Sequence, residues 1–203
     1  MFHRRSIVSV LLAAAAALAL PAVASAGPLV ASATNCTDQS ASSVFLPWLD
    51  PASYVLAPGG AAESATGWTL TGGAAIVSGN EPARVTSASD SHSLSLPPGS
   101  SATTDTMCVG IQHPDLRFFA ASSLLRGSVY VDVLFLTASG DVASAPVGWI
   151  TAGSWAPTPV MPLAVSLLPL LPGDLTPVQF RFTSTGSASV SIDDVYVDPY
   201  GRY

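Results

Sequence analysis

The chain has 203 residues, of which 49% are hydrophobic and only 10% charged; its formal net charge is −6 and it contains no lysine. So acidic a surface repels phosphate backbones and anionic lipid headgroups, which excludes nucleic-acid binding and polybasic membrane attachment. Ser, Thr, Gly and Ala carry much of the polarity, a composition that suits an all-β extracellular module better than a helical one.

Arg4-Arg5 precede the apolar run Ile7 to Leu20, and Ala24-Ser25-Ala26 supplies small residues for cleavage. Residues 1–26 therefore read as a secretory signal peptide, and the protein is expected to be secreted. The apolar run is too short to favour a membrane span, and no Cys follows the cut to carry a lipid anchor. About 177 residues remain, enough for one domain with a substantial core. Without Arg4 and Arg5, five basic residues face 13 acidic ones, a net charge of −8.

Residues 27–50 read as an N-terminal arm, turn-rich around Thr34 to Asp38, leading to Val44-Phe45-Leu46-Pro47-Trp48; residues 51–203 read as the main domain. Tyr54-Val55-Leu56 is a short strand halted by Pro58-Gly59-Gly60. Gly67 to Thr71 alternates and ends at Gly72-Gly73, and Ala75-Ile76-Val77 follows at hairpin distance. Ser78 to Asp90 is a polar loop, after which His92 to Leu96 alternates again. Pro97-Pro98-Gly99 turns the chain into one Thr-rich strand, Ala102 to Val109, which carries Cys108. Leu116 to Ala120, Ser128 to Leu136, Ala145 to Thr151 and Val178 to Thr183 continue the series. Roughly ten short strands with turn signals every 10 to 15 residues, and no helical period, predict an antiparallel β-sandwich or jelly roll.

Pro157, Pro159, Pro162, Pro169 and Pro172 punctuate a leucine-rich segment. Each proline removes a ladder donor, so the segment cannot be a central strand; at most Leu163 to Leu168 forms a helical turn. It is expected to cap one open end of the sandwich, the other reading being an exposed apolar patch that docks a partner.

The last stretch, Ser189 to Pro199, poses the sharpest chemical question. Val190 and Ile192 point one way, Val195 and Val197 the other, and Asp193-Asp194 sit at the change of phase. In an unbroken strand one aspartate must share a face with apolar neighbours, whereas a β-bulge would turn both carboxylates outward. A buried carboxylate must be protonated, hydrogen-bonded or bound to a cation.

Cys36 and Cys108 are the only cysteines, and in an exported protein they most simply form one disulfide tying the arm to mid-chain. The alternative is a pair of free thiols or metal ligands.

Leu56-Ala57-Pro58-Gly59-Gly60-Ala61-Ala62-Glu63, followed by Gly67-Trp68-Thr69-Leu70, resembles the opening of many secreted carbohydrate-binding modules, whose last strand often reads as Ile192-Asp193-Asp194-Val195 does here. The resemblance implies a galactose-binding-like jelly roll. Asp90 to Leu94, Met107 to Gly110, His113-Pro114, Leu116 to Ala120 and Asp193 to Pro199 also resemble a family of secreted actinobacterial proteins with no established activity. In the carbohydrate-binding modules a turn Glu and a last-strand Asp commonly hold a structural calcium ion, which by position implies Glu63 with Asp193 or Asp194. Ca2+ takes six to eight oxygens of mixed carboxylate and carbonyl type. Ala62 stands where that motif carries Phe, a departure that removes a core aromatic.

Aromatic faces stack on sugar C–H groups while polar neighbours fix orientation. Trp68 and Trp149 lie in strands and are expected in the core; Trp48 and Trp155, beside Pro and Gly/Ser, are the candidate ligand-binding residues. A catalytic reading has few groups to draw on. Asp90-Ser91-His92 are contiguous and alternate across a strand, so they do not converge as a triad. His113 is expected to face solvent or cap a turn, Glu63 and Glu81 are the only glutamates, and no zinc spacing or phosphate loop is present. The sequence thus points to a secreted, non-catalytic β-sandwich that binds extracellular glycan or another cell-envelope component. A structural or protein-interaction module without a sugar site is the alternative, and a secreted hydrolase the third reading.

Overall fold

The computed structural model describes residues 29–33, 36, 40–122, 127–169 and 174–198. The expected signal peptide at 1–26 lies outside them, as do Thr34, Asn35, Thr37, Asp38, and Leu170, Leu171 and Pro172 of the proline-leucine run.

Alternating stretches become strands. In chain order these are β1 (Ala41–Ser42), β2 (Tyr54–Leu56), β3 (Trp68–Thr71), β4 (Ala75–Ser78), β5 (His92–Leu96), β6 (Ser101–Thr104), β7 (Met107–Val109), β8 (Asp115–Ala121), β9 (Gly127–Leu136), β10 (Val142–Ala152), β11 (Ala156–Pro157), β12 (Met161–Pro162), β13 (Thr176–Ser184) and β14 (Val190–Val197). Among the described residues the only helical elements are 3-10 turns at Leu46–Trp48 and Ala164–Leu167. All strand pairs are antiparallel. One sheet runs β1-β2-β14-β5-β4, with β8 on the other side of β14 and carrying β11 and β12; the second runs β10-β9-β13-β6-β3, with β7 also on β13. The protein is an all-β sandwich of jelly-roll type.

The two sheets close over one apolar layer. Leu94, Phe118, Val190 and Ile192 of the first sheet meet Val131, Val133, Phe180 and Phe182 of the second, all at most 1% exposed. The period of two is legible in β13, whose residues alternate buried and half-buried along its whole length. Burial of this layer supplies most of the driving force, since each large apolar side chain contributes roughly 1.5–3 kcal/mol.

Two local expectations change. Gly72 and Gly73 do make a tight turn, with φ of 63° and 89° and Ala74 N–H donating to Thr71 O. The flanking strands do not pair, however: β3 joins β6 and β4 joins β5 in the opposite sheet. The hydrogen-bonding edge of β3 is already taken by β6, and the chain drops between layers where a Cβ on Gly72 would stand 2.9 Å from Ser100 Cα. Ala102 to Val109 is not one strand but two, split at Asp105-Thr106, with Asp105 N–H donating to Gly67 O.

The proline-leucine segment caps the sandwich as far as it is described. Met161, Leu163 and Val165 enter the core, while Pro159, Val160, Pro162, Ala164 and Leu167 are exposed. The arm packs on the outer face of the first sheet through Phe45, which meets Tyr54, Phe119 and Tyr196 in a second aromatic cluster.

Cys36 and Cys108 form a disulfide across 72 residues of sequence, with Cα atoms 5.8 Å apart. On the loop-entropy model a closure of this length stabilises by about 4 kcal/mol. Replacing both cysteines with Ala should lower the denaturant-derived stability by that order; a loss below ~1 kcal/mol would show that the aromatic cluster alone holds the arm.

Candidate functional site

β14 carries the bulge that its sequence implies. Asp193 pairs with Phe119 and Tyr196 with Arg117, so three steps along β14 match two along β8, and Asp194 takes a left-handed φ of 51°. Val190, Ile192, Val195 and Val197 all reach the core, while Asp193, Asp194 and Tyr196 lie on the outer face. Neither carboxylate reaches solvent, because the loop at residues 79–91 covers them. Asp193 is 0% and Asp194 1% exposed.

That loop brings two further buried acids, Glu81 and Asp90. Glu81 N–H donates to Asp193 Oδ2 at 3.1 Å and Asp194 N–H to Asp193 Oδ1 at 3.0 Å. Glu81 in turn accepts from Ala83 and Val85 N–H at 2.6 and 2.8 Å, which folds the loop around its own side chain. Thr86 Oγ1 donates to Asp194 Oδ1 and lies 2.7 Å from the Tyr196 hydroxyl. Asp90 Oδ2, Asp194 Oδ2 and Asn80 Oδ1 are buried with no hydrogen-bond partner. The ion pairs among the described residues lie elsewhere, and Arg84 donates instead to Ala88 O. Burial, reinforced by the neighbouring Asp194, pushes Asp193 up to about 8. Burial, with the charges of Glu81 and Asp90, pushes Asp194 up to about 7 against the opposing Thr86 hydrogen bond.

The residues that the resemblance assigns to calcium do not form one ligand set. Glu63 Oε1 accepts from Ser91 and His92 N–H at 2.7 and 2.9 Å, and its Oε2 faces His92 Nδ1 at 3.1 Å. Its carboxylate therefore caps the start of β5, and these partners hold it below the usual carboxylate range against the opposing effect of burial. Both Asp193 oxygens are also taken, and only Asp194 keeps one free. Among the described residues no three His, Cys, Asp or Glu side chains are grouped to hold a metal ion. Ser91 Oγ lies 3.0 Å from the same His92 Nδ1 that Glu63 faces. A nucleophile and its orienting acid need opposite ring nitrogens, so this trio is not a catalytic relay. Of the two places expected for His113, the structure shows the turn cap: it is buried, and Gly110 N–H donates to its Nδ1 at 3.1 Å.

Trp68 lies in the core as expected, and the other three tryptophans depart from their expected places. Trp48 and Trp155 are half-buried against the arm's aromatic cluster, and Trp48 meets Phe119 edge-on at 5.1 Å. Pro47 fixes the 3-10 turn that folds Trp48 back over the sheet, so its loop position does not free its face. Trp68 is buried and donates through Nε1 to Gly59 O at 2.6 Å. Trp149, expected in the core, is 68% exposed. Its ring lies 4.6 Å from that of its cross-strand partner Tyr130, tilted by 39°.

These two rings stand on the outer face of the second sheet. Beside them Arg181 grips Asp132 through Nε and Nη2, and Asp132 is almost fully buried. Thr183, Thr103, Ser101, Thr69 and Thr71 extend the same face across β13, β6 and β3. The face therefore combines an aromatic platform, a fixed guanidinium and a field of hydroxyls.

Among the described residues no helix is long and apolar enough to cross a membrane. No family model matches the sequence, and no curated protein is similar to it. Solved structures align with part of the chain. The CBM22-1–GH10 modules of Clostridium thermocellum endo-1,4-β-D-xylanase 10B, complexed with xylohexaose, align at 11% identity with a TM-score of 0.48, over 68% of this chain and 27% of that one. The xylan-binding CBM22-1 domain of Paenibacillus barcinonensis Xyn10C aligns at 12% identity and TM-score 0.46, covering 70% of this chain and 93% of the other. TmCBM61, in complex with β-1,4-galactotriose, aligns at 14% identity and TM-score 0.39, over 70% and 94%.

Proposed function

We propose that the protein is an exported, non-catalytic glycan-binding module and that the outer face of the second sheet is its binding surface. The observation that carries this reading is Trp149, a large apolar ring 68% exposed and held by Tyr130 on an open sheet face. A ring already braced by its neighbour loses little freedom when a sugar stacks on it, so the contact area contributes almost in full. Arg181, fixed by Asp132, presents its remaining N–H groups to sugar hydroxyls at small entropic cost. Recognition without turnover is favoured because Ser91 and Glu63 crowd a single nitrogen of His92.

Trp149→Ala should weaken binding to a recognised polysaccharide by about 30-fold or more, the loss expected of a central aromatic anchor. Its melting temperature should barely move, since the ring buries little in the fold. Trp48→Ala and Trp155→Ala should do the reverse, lowering stability and sparing affinity. Affinity electrophoresis and calorimetry over a polysaccharide panel check both; unchanged binding by Trp149→Ala would remove this face from consideration.

A further inference from the structure

The same face carries a substituent-sized cleft, and its chemistry narrows the ligand. Along β9 the outward positions run Tyr130, Asp132, Leu134, Leu136, so the aromatic pair and Leu134 stand roughly 13 Å apart at about 3.3 Å per residue. Around Leu134 and Leu136, with Val142 and Pro177, opens a cleft of about 170 Å³ whose polar wall is Gln179 and Thr106. Pockets for whole small-molecule ligands run from about 300 Å³ upward, so this one suits a side group rather than a sugar ring. Apart from Phe135 its apolar lining is aliphatic and calls for a methyl group. Gln179 is oriented: one Nε2–H donates to Thr104 O at 3.0 Å, which leaves Oε1 as an acceptor and the second Nε2–H as a donor for a ligand. Oε1 accepts from an O–H or an N–H, and among sugar substituents small and apolar enough for the cleft an amide offers it an N–H while bringing a C=O to the donors alongside. The Thr106 hydroxyl can donate to a carbonyl. A methyl, a carbonyl and an N–H together make an acetamido group.

Resting on the glycan reading above, we propose that the cleft takes the N-acetyl substituent of a 2-acetamido sugar, a short distance along a chain whose ring stacks on Trp149 and Tyr130. The ligand class is then a polymer of N-acetylhexosamine. An O-acetyl ester offers the methyl and the carbonyl but no N–H for Gln179, and is discriminated against.

The test is calorimetric titration of the mature protein with tri-N-acetylchitotriose, its deacetylated trimer, cellotriose and an O-acetylated xylotriose. The acetamido trimer should bind at least tenfold more tightly than each of the others, the value of about one hydrogen bond with its buried methyl contact. The deacetylated trimer is cationic and this chain acidic, so overall charge would favour the wrong ligand and cannot produce the preference. Gln179→Ala should bring the acetamido trimer down to the level of cellotriose, with the fold checked by circular dichroism, while Trp149→Ala should weaken every trimer alike. Equal binding of acetamido trimer and cellotriose, both still lost in Trp149→Ala, would overturn the acetamido assignment and leave the glycan reading standing. An O-acetyl ligand as tight as the acetamido one would overturn the role of Gln179. No binding of any trimer, or binding indifferent to Trp149, would overturn both.

Discussion

The melting temperature should fall by roughly 10–20 °C between pH 5 and pH 8 when no divalent cation is added. Asp193 and Asp194 sit under the loop at residues 79–91 with Glu81 and Asp90, and burial pushes them up to about 8 and about 7. In the unfolded chain the same carboxyls titrate near 3.9. The folded state therefore holds protons that the unfolded state releases, and its stability is full below about pH 4 and is lost as pH rises through 7 to 8. Each unit is about 1.36 kcal/mol, and the pair repel one another, so the linked loss is on the order of 5 kcal/mol. At about 2–4 °C per kcal/mol for a chain of this size, that gives the stated shift. Asp50 and Glu63, both held low, act oppositely at the acid end, so the optimum lies near pH 4–5.

Asp194→Asn removes one charge while keeping a residue tolerant of the left-handed φ, and should flatten the slope and raise stability at pH 8. A flat profile in the parent protein would mean that the cluster holds no protons at neutral pH. Millimolar calcium supplies the second arm. If it abolishes the slope, the unpartnered oxygens of Asp194 and Asp90 accept a cation; if the slope persists, protons alone neutralise the cluster.

Removing Arg117 should cost roughly 3 kcal/mol, the lower end for breaking a buried ion pair, because Asp50 is partly buried and keeps its bonds from Tyr54 and Ala52. Its Nη1 pairs with Asp50, its Nε donates to Thr158 O at 3.0 Å, and its guanidinium lies 4.5 Å over the Phe45 ring. One side chain thereby joins the arm, β8 and the capping segment. In Arg117→Ala, Asp50 remains beside Asp198, which burial and the charges of Asp115 and Asp50 already push up to about 6. The deficit should shrink as pH falls below 6, where Asp198 takes up a proton. An Asp50→Asn/Arg117→Met double variant should recover more than half of the loss, because an apolar replacement leaves no unpaired charge. Urea denaturation at pH 5 and pH 8 measures both, and a loss below 1 kcal/mol would assign the arm's attachment to its aromatic rings.

What was legible in the sequence follows one physical rule: alternation reports which face is buried only while the strand stays in phase. β9 and β13 keep phase and were readable throughout. β14 changes phase at Asp193-Asp194, and the paired acids gave the bulge away. β10 changes phase without such a marker. Ala143, Ala145 and Val147 face inward, so counting by twos puts Trp149 inward as well. The register shift between Pro146 and Gly148 instead sends Ile150 to the core and Trp149 to solvent. Pro-Val-Gly permits a bulge there but does not demand one. The burial of Glu81 and Asp90 beside β14 is illegible for another reason: they lie in a polar loop, and only the folding of that loop onto β14 buries them.

The arm spans the seam between the layers. Cys36 is bonded to Cys108 of β7, on the second sheet, while Phe45 lies nine residues on against Tyr54 and Tyr196 of the first. A tension that slides one layer past the other therefore runs through the disulfide in series with the packing of Phe45, and the arm yields at its aromatic contacts before the covalent bond breaks. The oxidised protein therefore keeps the arm tethered to the second sheet after those contacts open, whereas the reduced form, about 4 kcal/mol less stable, holds it there only by bonds such as Ala31 N–H to Leu136 O.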